Sequence, residues 1–385
     1  MPKITILEKT NLQEDHWHSM VISQLRGLAA LQVAAAHLRA LQYPGFSAVE
    51  KPPLLFLGLA FSSGFAYLAV IVFFVLSGWL VGGSFLNKLN SERALQHYAI
   101  DRVSRLWVVL VPTFVVVLLA GAVVGELDTK QVSFSATEPY SAGAFVGNMV
   151  GLQTIMVPPF GANFPLWSLA NETWYYVLFP LLILVFRAKA IATRVVAVLA
   201  IGAIVQLVHG TILLYFSIWL LGAAFSRVRI ELGQVWRWAL LLLLVGSAVF
   251  IRLQGTTNFT LKEYPDYLLF SLIFVLFLSS MQFKRQAGPK LDRIDRTSRF
   301  FANFSFTLYV LHVPMILVMG YALRSVFGIG QLSPHSMLHY LIYAGMYLML
   351  VVGAYLFYLP FESNTPRVRQ WLKAQLFARV GIVRP

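Results

Sequence analysis

The chain has 385 residues, of which 58% are hydrophobic and only 12% charged, and its mean hydropathy is +0.71. A soluble domain carries about 25% charged residues, so this composition excludes an ordinary soluble enzyme and predicts an all-α, polytopic membrane protein. An outer-membrane barrel is excluded because the apolar runs are continuous rather than alternating. The net charge of +14 resembles a nucleic-acid signature, yet in membrane proteins excess Lys and Arg collects in cytoplasmic loops, and no nucleic-acid partner is expected. There is no cysteine, so disulfide and thiol chemistry are out.

Residues 1–24 are polar and mixed in charge and read as a cytoplasmic segment; no small-residue cleavage site follows them, so no cleavable signal is expected. Ten spans are predicted, at about 25–43, 64–86, 105–125, 165–186, 191–209, 211–226, 237–251, 265–283, 301–323 and 337–360. A shorter apolar run at 54–61 reads as interfacial. The His-Gly-Thr connection at 209–211 predicts that the spans on either side are antiparallel neighbours. Residues 25–360 thus form one transmembrane domain. The tail, 361–385, is basic and partly amphipathic (Val368, Trp371, Leu372, Leu376) and reads as a surface helix held by anionic lipid. No internal repeat of broken helices is visible, which weighs against a transporter.

Charge asymmetry orients these spans. With the N-terminus inside, the basic clusters Lys88–Arg105, Arg187–Arg194, Arg227–Arg237, Lys284–Arg299 and Arg367–Arg384 all fall inside. Only Arg39, Lys51, Lys130, Arg252, Lys262 and Arg324 fall outside, six of the 30 Lys and Arg. The expected topology is therefore N-in and C-in. The longest outer loop, about 126–163, carries Glu126, Asp128 and Glu138 and is long enough to cover an external substrate mouth.

Polar residues at membrane depth are costly and mark candidate sites. In Arg26–His37 (RGLAALQVAAAH) the arginine and histidine are eleven positions apart. At about 100° per residue they share one helix face, separated by about 16 Å along the axis. Arg26 enters at the inner surface and His37 lies deeper; the plainer alternatives are a snorkelling arginine and a helix–helix hydrogen bond. Phe73–Gly78 (FFVLSG) places Ser77 in the second span, followed by Gly82 and Gly83, small residues that suit either close packing or a site lining. Arg102 and Arg105 are neighbours on a helix face and would form a phosphate clamp or simply supply positive-inside charge. Pro165–Tyr176 (PLWSLANETWYY) contains Glu172, placed near the depth of His37, where it needs a cationic or hydrogen-bonding partner; an imidazole is the natural one for general-base chemistry. Ser305–Pro314 (SFTLYVLHVP) brings Tyr309 and His312 to mid-depth, with Pro314 freeing a backbone carbonyl at that level. A satisfied core histidine is the alternative for His312.

Taken in order, Arg-x10-His, FFVLSG, Arg-x-x-Arg, LWSLANE-x-x-Tyr-Tyr and SFTLYVLHVP closely resemble the membrane acyltransferase-3 family, over about residues 22–360. The resemblance implies an enzyme of the EC 2.3.1 type. Members acylate, most often acetylate, sugars of cell-envelope or secreted glycoconjugates, and some act on other small acceptors. The implied donor is cytosolic acyl-CoA, with acetyl-CoA the form the resemblance favours, used as a co-substrate with no tightly bound cofactor and no metal. The implied partners are a glycan or glycolipid acceptor and the lipid bilayer, and the implied location is a bacterial inner membrane. By resemblance His37 is the catalytic histidine, Arg26 part of the donor site, and Arg102 and Arg105 the groups facing the CoA phosphates. The resemblance also places Glu172 and His312 in the central cavity; from the residues themselves, Glu172 is read with His37 as the catalytic set, and Ser77, Trp167, Ser168 and Tyr309, with His312, as cavity residues. Gly82-Gly83-Ser84 departs from the bulkier or charged residues usual after FFVLSG. The C-terminal esterase-like domain of some relatives is lacking, so extracellular transfer is expected to finish within the bundle or on a partner.

Two histidine mechanisms follow: His37, oriented by Glu172, as general base on an acceptor hydroxyl, or a transient acyl-histidine. Ser77 or Tyr309 as acyl carrier is a poorer third scheme. The rival function is a proton-coupled transporter or exporter using the mid-membrane His and Glu as a relay.

Overall fold

A computed structural model describes residues 3–127, 133–255, 260–286 and 288–378. Lys130 and Arg384, used above to orient the chain, and Asp128 of the outer loop lie outside the described residues. After a short strand β1 (Lys3–Ile6) come α1 (Trp17–Gln42), α2 (Leu54–Ser62), α3 (Ala66–Ser77), α4 (Gly83–Lys88), α5 (Ala94–Val124) and α6 (Ala142–Met149). Then follow α7 (Leu166–Arg187), α8 (Ile191–Leu207), α9 (Gly210–Phe225), strand β2 (Val228–Glu231), α10 (Gln234–Leu253) and α11 (Tyr264–Ser280). The described chain ends with α12 (Pro289–Asn303), α13 (Ser305–Phe327), α14 (Met337–Tyr358) and α15 (Thr365–Ala378).

Among the described residues, 7 helical segments are long and apolar enough to cross a membrane. The predicted fifth, sixth and eighth spans fall instead on shorter apolar helices, α8, α9 and α11, of 17, 16 and 17 residues. At 1.5 Å per residue each reaches about 25 Å, short of a ~30 Å hydrocarbon core. The large apolar side chains of α10 are mostly exposed (Trp236, Leu242, Leu243, Phe250), as a lipid-facing helix requires.

Two boundaries differ from expectation. The first helix starts at Trp17, eight residues early, because Met20 and Ile22 turn inward and are buried. The third starts at Ala94 rather than 105 because its polar first turns find partners, described below. The apolar run expected to be interfacial forms α2.

The chain divides into two compact units. The first comprises Met1–Arg39, Gly45–Lys88 and Val177–Ser305. In it β1 pairs antiparallel with β2, and Thr10 is stapled to α4, its N–H donating to Asn87 Oδ1 at 2.8 Å and its carbonyl accepting from Asn87 Nδ2 at 3.0 Å. The N-terminal segment is therefore a structured part of this unit. Its core is the approach of α3 to α9. A Cβ added at Gly78 would lie 1.9 Å from the Trp219 carbonyl oxygen, and one at Gly222 2.0 Å from that of Val75. Trp79 and Trp219 are fully buried there. Between α3 and α4 the helix widens into a π turn over Gly78–Gly82, an irregularity common at functional sites.

The second unit comprises Ala40–Pro44, Leu89–Tyr176 and Phe306–Pro385. Here α15 packs on α5. Lys373 Nζ and Arg369 Nε lie 2.7 and 3.4 Å from Asp101 Oδ1, and Phe377 meets His97 edge-on at 4.8 Å. The tail is thus docked by ion pairs and ring contacts within the protein, not held by lipid alone. Trp371 and Leu376 remain exposed on it.

Candidate active site

The second unit gathers most of the singled-out side chains. Arg102, on α5, is half-buried and lies over two tyrosine rings, Tyr176 at 5.5 Å and Tyr98 at 5.9 Å. Its buried Nε has no hydrogen-bond partner among the described residues. Tyr176 donates its hydroxyl proton to Glu172 Oε1 at 2.5 Å, one turn back on α7. Tyr98 lies within electrostatic range of both Arg102 and Glu172. Arg102, two tyrosines and Glu172 therefore form one continuous polar patch. Within this unit the hydrogen-bond partner of Glu172 is a phenol rather than the expected imidazole.

Arg105, one turn further along α5, is neutralised: its Nη1 lies 2.6 Å from Glu362 Oε1. Glu362 is buried, and its other oxygen accepts from the Thr307 amide at 3.0 Å and the Thr307 hydroxyl at 2.6 Å. Thr307 is in the first turn of α13, where amides lack helical acceptors, so the carboxylate also serves as a cap. The two arginines do not form a symmetrical clamp: one holds a structural carboxylate and the other has no carboxylate partner among the described residues.

Next to Glu172, Tyr309 donates to the Pro165 carbonyl at 3.0 Å, and its hydroxyl lies 2.5 Å from that of Ser168. Both residues are buried, and these bonds commit their hydroxyls to joining α13 with the start of α7. Trp167 is half-buried beside them. His312 is completely buried, with Nδ1 3.1 Å from the Leu308 carbonyl and its ring 6.0 Å from that of Tyr309. Pro314 cannot donate to Val310, four residues back; that carbonyl accepts from Asn163 Nδ2 at 2.8 Å instead. The carbonyl expected to be freed by Pro314 is thus taken up by a side chain from the loop before α7.

The first unit holds Arg26, His37 and Ser77. Arg26 and His37 lie on the uninterrupted α1 and are both half-buried. The helix is positioned on both sides of His37: Gln32 Nε2 donates to the Ser62 carbonyl at 2.8 Å and Arg39 Nε to Ser63 Oγ at 2.9 Å. Beside Arg26, Gly27 lets α1 touch α12, where an added Cβ would sit 2.7 Å from Phe301 Cβ. Ser77 accepts a hydrogen bond from Trp219 Nε1 at 3.1 Å. With Gly78 and Gly82 also against α9, this stretch packs closely on that helix.

Glu362, Asn163 and Tyr98 were not singled out from the sequence. Glu362 had a signal, since it is the sole carboxylate after Asp295 in a basic, apolar stretch. Asn163 and Tyr98 had none.

Residues 22–359 match the acyltransferase-3 family, described as an acyltransferase domain. The match covers nearly the whole chain, and the chain belongs to that family. No curated protein and no solved structure matches it. With its apolar helices, it is an integral membrane protein of an acyltransferase family.

Proposed function

We propose that the protein transfers an acyl group, acetyl in the simplest case, from cytosolic acyl-CoA to a sugar hydroxyl of a cell-envelope or secreted glycan, in a bacterial inner membrane. The observation that carries the donor assignment is Arg102. A half-buried guanidinium with no ion-pair partner among the described residues is electrostatically incomplete, and an anionic ligand completes it. Guanidinium groups match phosphate geometry, and CoA carries several phosphate charges. Arg26, at the start of the apolar part of α1, is the second donor contact in this reading.

His37 is the general base. It takes the proton of the acceptor hydroxyl as that oxygen attacks the thioester carbonyl; the C–S bond breaks, and the CoA sulfur leaves as thiolate and takes that proton from the imidazolium, which restores the base. Glu172 is the catalytic carboxylate, its charge spread onto the Tyr176 hydroxyl. Ser77 and Tyr309 are poor acyl carriers, because their hydroxyls are engaged with Trp219 and Pro165.

The test is acyl-CoA-dependent acylation of envelope glycan in membranes containing the wild type or His37→Ala. Loss of a general base is expected to slow transfer about 100-fold or more, with the variant inserted at wild-type level. Near-normal activity in the variant would overturn the mechanism. Transport of an intact substrate without CoA release would overturn the reaction class in favour of a transporter.

A further inference from the structure

We infer that the exposed, cationic face of α12 is a binding site for the phosphate headgroup of an anionic membrane phospholipid. The helix sorts its charges by face. Asp292, Asp295 and Arg299 follow a three- and four-residue spacing, and so do Arg293, Arg296, Thr297 and Phe300, one position on and about 100° around the axis. On the first face every charge is matched: Arg285 Nη2 lies 3.3 Å from Asp295 Oδ2 and 3.5 Å from Asp292 Oδ1, and Arg299 Nε lies 3.0 Å from Asp295 Oδ2. Arg299 also pairs with Glu14. Asp295 and Ser298 are buried on this side.

The second face is left cationic. Arg293, Arg296, Thr297 and Phe300 are exposed and line an open cleft of about 380 Å³. Among the described residues neither arginine has a carboxylate partner; the one contact of Arg296 is a long 3.4 Å bond to the Asp292 carbonyl. The neighbouring acids, Asp292 and Asp295, are turned towards Arg285 and Arg299 and do not cancel this charge. Two guanidiniums one turn apart with a hydroxyl beside them offer convergent donors to a phosphate.

The apolar neighbours select a lipid over a soluble phosphate. Ile294 is 44% and Phe300 42% exposed, so the cationic cleft is flanked by uncovered apolar surface. A basic helix with exposed Ile and Phe is suited to the headgroup level of a bilayer, where it meets a phosphate and acyl chains together. The helix leads directly into α13, which carries Tyr309 and His312.

The experiment is native mass spectrometry of the full chain released from nanodiscs of mixed phosphatidylglycerol and phosphatidylcholine. The wild type is expected to retain phosphatidylglycerol after phosphatidylcholine is stripped. In R293Q/R296Q, affinity for the retained lipid should fall about tenfold or more, while R293K/R296K keeps part of it and thermal stability is unchanged. Equal retention of both lipids by the wild type, or undiminished retention by R293Q/R296Q, would overturn the site. Displacement of the lipid by free CoA would overturn the lipid assignment and make the cleft a nucleotide site. Because lipid retention is read without turnover, failure here leaves the acyl-transfer reading intact, and failure of that reading leaves this one intact.

Discussion

Arg102 and Arg105 sit one turn apart on α5, yet among the described residues only Arg105 has a carboxylate in ion-pair contact, the buried Glu362. Their variants should therefore separate cleanly. Arg102→Gln removes a cation that no described carboxylate balances; the donor KM is expected to rise about tenfold, the loss of roughly one charge-assisted hydrogen bond, with thermal stability in detergent unchanged. Arg105→Gln leaves Glu362 buried without its cation, and breaking such a pair costs about 3–5 kcal/mol. It should lower the unfolding temperature first and activity only as a consequence. If the two variants behaved alike, either both as KM variants or both as stability variants, the division of roles would be wrong. The pair was legible in the sequence as two adjacent cations. Their difference was not, because it is made by Glu362, some 250 residues away, and sequence spacing carries no information about which distant carboxylate arrives.

At the scale of elements, Pro314 and Asn163 give a sharper case. A proline within a helix frees the carbonyl four residues back, so the sequence alone identified a carbonyl in need of a donor at the depth of His312. It could not identify Asn163, which reaches Val310 from the loop before α7. Asn163→Ala should cost about 1–3 kcal/mol by stranding a buried acceptor. In a Pro314→Ala background the new amide can serve Val310, and the cost of Asn163→Ala should shrink. Thermal unfolding of the four proteins measures the coupling, and strictly additive effects would refute the account. The FFVLSG segment was equally readable as a packing motif or a site lining, and its glycine packs closely on α9. Gly78→Ala would push a methyl to 1.9 Å from the Trp219 carbonyl, a backbone contact that cannot rotate away. A loss of about 1–3 kcal/mol is expected, read as a lower unfolding temperature, whereas a site-lining role would show as altered KM in a protein of normal stability.

For the whole molecule, hydropathy located the apolar helices because in a bilayer each must satisfy its own backbone and present an apolar surface. It set two helix starts late because those turns are stabilised by contacts inside the protein: Met20 and Ile22 buried on α1, and Asp101 of α5 joined to Arg369 and Lys373 of α15. Orientation rests on charge, and the proposed chemistry depends on it, since a cytosolic thioester must meet Arg26 and Arg102 from the inner side. The absence of cysteine in the chain makes this directly measurable without a background to remove. Thr137→Cys, exposed in the long loop before α6, should react with a membrane-impermeant maleimide in intact cells. Glu92→Cys, exposed before α5, and Ser363→Cys, exposed before α15, should react only after permeabilisation. With Lys and Arg so unevenly divided between alternate loops, the basic ends are expected on the cytoplasmic side, and the three positions test that orientation together. Labelling of Glu92→Cys from outside would invert α5, deliver Arg102 to the wrong face for a cytosolic donor, and remove the donor assignment along with the topology.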